Sequence, residues 1–533
     1  MAKIGGSVLT RLHNFKAYFF AERHFASLLI FVCLVLCIHF TTVKHYPLCW
    51  LDEVDIIEVG RFSTYNQHPN WSINLMPGES NQQCPPPFFH YLGGGLLETV
   101  YRTTGNFVAV RITAMMGLLP ATLLLYVWLR KKKFTPLIAW ITAMLFMADP
   151  NVSVGLHWYR IDLWVFAITF TCFILVASAR GQNDRNQYRV LCLTGALMIL
   201  ESFFWITSIL HWIFILAEIL ALATTERWSL KKYSWAVMAG LCGAMSMLAL
   251  CLIPVYQEIS QTINVYLTRT EVGGTLNRFS NADGLRTHEW IERGFLFIKL
   301  IMRTPFVWFG VILGAFSFRK YPFQAVALLI ASIIVISTQV YHNRVNYLTP
   351  MVLLFLALGL NSWLNSKIKA FRILSCIFIV SSFVYAYGLS VIGMNYFARP
   401  VTRGNTYDFF EQKLACAVGK GPKRVYTFTY DPYHVGRKLG WQMYSFLPGR
   451  PEALFTKSLS ANLIEKLDYI LVGDDYPLTD DQKQFLLNHK FEIIQRILMP
   501  TDHPTGLTKT MRAIIYARGY PSFTVWGKKK EGP

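Results

Sequence analysis

Apolar runs long enough to cross a lipid bilayer recur along this chain, and each is bounded by charge. Backbone inside lipid must satisfy its own N–H and C=O groups, which only helices and closed barrels do. Unbroken runs approaching 20 residues select the helix. Counting them predicts about eleven spans, near residues 25–43, 107–129, 136–148, 163–179, 190–201, 204–223, 235–254, 304–318, 322–340, 347–364 and 373–393. The composition agrees: 53% of the residues are hydrophobic and 15% are charged, against roughly 25% charged in soluble domains. The expected fold class is a polytopic α-helical membrane protein.

The net charge of +20 is placed so as to orient such a chain. Basic clusters lie between alternate runs: Arg130 to Lys133, Arg180/Arg185/Arg189, Arg227/Lys231/Lys232, Arg319-Lys320 and Lys367/Lys369/Arg372. By the positive-inside rule these loops are cytoplasmic. The N-terminus is then inside, and 44–106, 255–303 and 394–533 are outside. A nucleic-acid partner is excluded, since no basic face is interleaved with exposed aromatics. The first run is long for a signal-peptide core and lacks a small-x-small cleavage site, so it is expected to be retained.

Residues 394–533 differ in composition. Short β-rich runs (425–430, 469–472, 513–517) alternate with helical patterns (434–446, 480–489) between Pro and Gly breaks. This predicts a second unit, an external α/β domain, after a membrane domain over 1–393. Gly419-Lys420-Gly421 lacks the remaining positions of a phosphate loop and is expected to be a turn.

Three external places hold ionisable residues at membrane depth, where charge is costly and usually functional. The stretch "CWLDEVDIIEVGR" (49–61) carries Asp52, Glu53, Asp55 and Glu58. On a helix Asp52, Asp55 and Glu58 share an arc of about 120° while Glu53 points elsewhere; a solvated loop end is the plainer alternative. At "YRIDLW" (159–164), Arg160 and Asp162 are two apart and so do not share a helix face. They point into a site between helices or snorkel at the interface. In "YHNRVNYLTP" (341–350), Arg344 is the lone charge of a tight turn, suited to a phosphate or to anchoring. The loop 255–303 adds Arg269 and Arg286, and its adjacent His288 and Glu289 are weak candidates for a metal site. Cys49 and Cys84 share the first external loop and either pair or stay apart.

The ordered set of Asp52-Glu53, "CPPPFFHYL" (84–92), the run 107–133, "YRIDLW" and "RVNYLTP" resembles the membrane glycosyltransferases of the GT-C fold. The branch resembled most holds protein O-mannosyltransferases and bacterial lipid A aminoarabinose transferases, and the similarity covers roughly residues 25 to 365. It implies transfer of a sugar from a polyprenyl-phosphate carrier to a lipid, glycan or protein acceptor outside the membrane, with inversion at the anomeric carbon. Asp52 matches the catalytic acid with Glu53 beside it, and Asp162 matches the acid of the R-x-D motif. Arg344 and Arg160, followed by Arg269 and Arg286, are the candidates for the donor phosphate. A divalent metal is a possible cofactor.

Two departures stand out. Gln83-Cys84 precede Pro85-Pro86 where the aminoarabinose branch has an acidic-Lys pair, and Asp55 stands where that branch often has a basic residue. The donor sugar is therefore not carried over. Size and the plain first span favour a bacterial inner membrane with a periplasmic C-terminal domain. Asn70-Trp71-Ser72 and Asn151-Val152-Ser153 would be glycosylation sequons in a eukaryote. The rival classes are a transporter or flippase, which needs charge near mid-span, and a non-catalytic assembly factor.

Overall fold

The computed structural model describes residues 22–45, 48–49, 51–65, 71–72, 91–156, 160–258, 287–304, 308, 310–312, 318–338, 342–399, 404–444, 455, 464–500, 505–515 and 518–529. Helix α1 (Arg23–Phe40) opens the bundle, and the segment after it holds α2 (Leu51–Tyr65), the short β1 (Trp71–Ser72) and α3 (Tyr91–Thr104). Then follow α4 (Phe107–Met115), α5 (Leu118–Lys131), α6 (Pro136–Met147), α7 (Pro150–Leu156), α8 (Asp162–Ala179), α9 (Asp184–Phe204), α10 (Ile209–Thr225) and α11 (Leu230–Leu252). Further along come α12 (Thr287–Ile301), α13 (Pro322–Thr338), α14 (His342–Asn346), α15 (Thr349–Leu364), α16 (Lys369–Tyr385) and α17 (Met394–Ala398).

Among the described residues six helical stretches are long and apolar enough to cross a membrane: 23–40, 107–131, 162–179, 206–225, 230–256 and 369–398. The shorter apolar α6, α13 and α15 fall where spans were expected. Most of the expected span at 304–318 lies outside the described residues, so the count of eleven is met in part. Packing separates the helices by role. From Thr349 to Leu360 every residue of α15 is buried, as befits a helix apolar all round. On α11 and α16, Leu241, Met245, Leu250, Ile377, Val380 and Val384 are exposed, an apolar outer face suited to lipid. The chain is an integral membrane protein.

The C-terminal unit contains α18 (Tyr407–Val418), β2 (Arg424–Thr427), α19 (Tyr433–Leu439), β3 (Gln442–Tyr444), β4 (Tyr469–Gly473), α20 (Asp480–Asn488), β5 (Phe491–Ile497), α21 (Gly506–Ile515) and β6 (Phe523–Lys528). The sheet order is β1-β3-β2-β4-β6-β5, parallel from β1 to β4 and antiparallel beyond. The edge strand β1 comes from the segment between α2 and α3, with Trp71 opposite Met443. The sheet is thus built from both units. Gly419 and Gly421 hold φ of 85° and 102°, the turn expected of them.

Two expectations are corrected here. The run 513–517 was expected as a strand, but 513–515 close the helix α21. Leu507, Met511 and Ile514 recur at spacings of four and three, a helical period that outweighs the β-branched pair Ile514-Ile515. The helical pattern expected over 434–446 ends at Leu439, where Gly440 turns the chain with φ of 80° and Gln442–Tyr444 pair as β3.

Candidate active site

The acidic stretch forms the helix α2 and lies against α3 at glycine positions. A Cβ at Gly60 would collide with the Gly94 carbonyl, and one at Gly94 with the Ile56 carbonyl. Only glycine permits this backbone approach. On the far side, Gly93 of α3 faces Ile161, which caps α8 beside Arg160 and Asp162. The glycine contacts thereby link the acidic helix to the R-x-D corner.

Within α2 the two described acids, Glu53 and Glu58, are not solvated. Glu53 is fully buried and takes a two-pronged contact from Arg111 of α4, Nε to Oε1 at 3.0 Å and Nη2 to Oε2 at 2.9 Å. Arg111 also donates to the Val43 carbonyl at 2.9 Å. Burial, the largest single influence, pushes the Glu53 carboxyl up, but Arg111 and His434 together outweigh it, and the net shift is below the ordinary value. Glu58, expected to shape the field or face water, is buried and accepts a hydrogen bond from Tyr433 Oη at 2.5 Å. Glu98 of α3 is buried between Arg102 (2.8 Å) and Arg437 (2.5 Å).

Tyr433, His434 and Arg437 all belong to α19 of the C-terminal unit. His434 brings Nε2 to 3.6 Å from Glu53 Oε2, and its ring stacks on Phe107 with centroids 4.6 Å apart. Burial lowers its pKa to about 4 although Glu53 pulls the other way, so the imidazole is neutral at pH 7. Arg437 lies over the Tyr101 ring at 3.9 Å. One helix of the C-terminal unit therefore docks on the buried acids of α2 and α3.

The second cluster is the R-x-D corner. Arg160 contacts Asp162 through Nε at 2.6 Å and Nη2 at 3.2 Å, and Tyr347 Oη also donates to Asp162. The expectation that residues two apart need not pair assumed that both were helical. Helix α8 begins only at Asp162, so Arg160 precedes it and folds back. The Arg160 guanidinium lies 4.6 Å from the Trp205 ring centroid. Polar contacts continue inward: His211 packs on Tyr347, Thr169 Oγ1 meets His211 Nδ1 at 2.6 Å, and Thr169 donates to Glu201 at 2.9 Å.

The remaining candidates are placed less completely. Asp52 opens the first turn of α2 beside Glu53, but its side chain lies outside the described residues, as does that of Asp55. Arg344 is half-buried on α14, next to Asn346, whose Nδ2 donates to the Asn151 carbonyl at 2.9 Å. Arg269, Arg286 and Cys84 lie outside the described residues, and with Cys84 the proposed Cys49 pairing. His288 and Glu289 fall in the first turn of α12 with undescribed side chains. A different donor set emerges for a metal: Cys49, Glu53 and His434 offer ligand atoms within 4.8 Å of one another. Thiolate, carboxylate and imidazole suit zinc. However, burial keeps the Cys49 thiol protonated, and Arg111 already neutralises Glu53.

Arg111, Glu98, His434 and Arg437 were missed from the sequence. One signal was available: Arg111 interrupts the apolar run "FVAVRITAM", and an ionised residue there requires a partner. Nothing comparable marks His434.

No family model matches the sequence, and no curated protein matches it by sequence search. By structure the chain is similar to ArnT from Cupriavidus metallidurans bound to undecaprenyl phosphate. That match has a TM-score of 0.58 at 11% identity and covers 95% of this chain and 99% of the other. The chain is also similar to the Archaeoglobus fulgidus oligosaccharyltransferase in its apo form, with a TM-score of 0.47, 12% identity, and coverage of 85% and 70%. A third similarity, to the mycobacterial arabinofuranosyltransferase AftD, has a TM-score of 0.47 at 14% identity and covers 93% of this chain and 41% of that one. The chain shares the fold of ArnT, the GT-C fold.

Proposed function

We propose that this GT-C-fold chain is a glycosyltransferase that takes a sugar from a polyprenyl-phosphate carrier and passes it to an acceptor hydroxyl outside the membrane. The observation that carries this is the fold shared with ArnT over nearly the whole of both chains, a protein described with undecaprenyl phosphate bound. The external corner supports it, with a buried carboxylate held by Arg160 and Tyr347 beside an acidic helix.

In the proposed step the acceptor oxygen attacks the anomeric carbon, and the bond from that carbon to the phosphate oxygen breaks. The electron pair leaves with the polyprenyl phosphate. The acceptor proton passes to the Asp52 carboxylate, acting as general base, and displacement from the far side inverts the anomeric centre. Arg344 meets the growing charge on the phosphate, joined by Arg269 and Arg286 of the second loop. Arg160 is engaged with Asp162, and the pair fixes the start of α8 beside the acidic helix. Glu53 serves as a positioning residue, since its clamp to Arg111 fixes the turn that carries Asp52. The acceptor is a lipid, glycan or protein hydroxyl, and the setting is a bacterial inner membrane with the C-terminal unit in the periplasm.

Asp52→Asn is the test. The expected outcome is loss of the sugar modification in cells with the protein present at its normal level. Normal modification with Asp52→Asn would overturn the proposal.

A further inference from the structure

Helix α8 starts at Asp162 and ends beside Arg180, and its 18 residues separate these ends by about 27 Å. At the Arg180 end, far from the site described above, lies a cavity of about 330 Å³. Three of the basic clusters that orient the chain converge on it: Lys131, Lys132 and Lys133 after α5, Arg180 after α8 and Lys320 before α13. One carboxylate, Glu218 of α10, lines it with them. Topology alone asks only that these residues stay on one side of the membrane. It does not ask that five cations surround one hollow.

Two features indicate a built site. Glu218 is buried and engaged: Lys132 Nζ donates to it, and Gln324 Nε2 reaches its other oxygen at 3.1 Å. It therefore fixes Lys132 in the wall and is not available to neutralise the rim. Lys131, Lys133, Arg180 and Lys320 are exposed and form no ion pair among the described residues. Second, Lys133 has φ of 68°, a left-handed conformation that normally selects glycine. It closes α5 through bonds from Lys133 N to the Arg130 carbonyl (3.0 Å) and from Phe134 N to the Leu129 carbonyl (3.1 Å). That is the helix end where glycine is usual, yet a charged side chain stands there and lines the cavity.

We propose that this cavity binds a phosphate-ester anion, held by Lys131, Lys133, Arg180 and Lys320, at the cytoplasmic end of the bundle. Basic hollows between helices at that membrane face suit phospholipid headgroups. The part-exposed Ala177 and Ala221 add apolar lining beside the cations. The site is independent of the transferase proposal and stands if that one fails.

Native mass spectrometry of the full-length protein, mixed in detergent with phosphatidylglycerol or phosphatidylcholine, tests it. Phosphatidylglycerol is expected to be retained at least tenfold better. Lys133→Gly should weaken retention about fivefold, the effect of one cation near a membrane surface. This variant removes the charge while relieving the backbone, so misfolding does not explain a loss. A phospholipid ligand predicts that millimolar inorganic phosphate fails to displace the lipid. Displacement by phosphate at that level would assign the site to a soluble phosphate ester. Equal retention of both lipids without any effect of phosphate, or unchanged retention in Lys133→Gly, would overturn the proposal.

Discussion

At the residue scale, three acids after the first span are sealed by partners. Glu53 is sealed against Arg111, Glu58 against Tyr433 and Glu98 between two arginines. Replacing one partner of such a buried pair strands the other charge, at a cost of about 3–5 kcal/mol. Arg111→Ala should therefore lower the yield of folded protein sharply, as measured by size exclusion in detergent. Asp52→Asn should leave the yield intact and cut the transfer rate by about 10²–10⁴, the range for removal of a general base. Equal damage to folding by both would contradict the distinction. The presence of acids at this boundary was legible in the sequence; their partners were not. Tyr433 and Glu58 are 375 positions apart, and no local pattern encodes that meeting. Arg111 was legible in principle, because a lone charge in an apolar run must be paired.

His434 gives the same contact a pH dependence. An undocked histidine titrates near 6.5, whereas burial at the interface holds this one to about 4. The undocked state therefore takes up a proton between pH 6.5 and 4 that the docked state refuses. Docking is at full strength above pH 6.5 and weakens as the pH falls toward 4. Glu53, whose pKa is lowered in the docked state, adds a further loss below its ordinary value of 4.5. Limited proteolysis of the C-terminal unit as a function of pH should show cleavage rising through this window, and His434→Gln should flatten the rise. An unchanged profile in His434→Gln would remove histidine from the account.

At the scale of elements, the site depends on how closely α2 and α3 approach. Gly94→Ala places a methyl group against the Ile56 carbonyl and must push the helices apart. Overpacking of this kind costs about 1–3 kcal/mol, so a lower melting temperature in detergent is expected. Activity should fall as well, because α2 carries Asp52 and α3 faces Ile161. A stable, fully active Gly94→Ala would show that this contact does not set the site. The spans were legible because runs near 20 apolar residues leave few alternatives to a helix. Where a helix begins was less so. The start of α8 at Asp162 frees Arg160 to fold back on it, and helix-face geometry applied to the pair misses this. In the soluble unit the helical period of α21 was masked by two adjacent isoleucines.

At the scale of the whole molecule, the C-terminal unit does not simply follow the helical bundle. It takes its edge strand β1 from the segment between α2 and α3 and lays α19 on the acids of those two helices. Arg437→Ala should release this contact and expose the C-terminal unit to protease at neutral pH, while membrane insertion continues. The central claim concerns sugar transfer, and mass spectrometry of envelope lipids, glycans and glycoproteins reads it most directly. A deletion strain carrying the wild-type gene is compared with one carrying Asp52→Asn. The account predicts one sugar mass present in the first and missing from the second, on a single class of acceptor. Identical spectra, with both proteins present in the membrane, would contradict it.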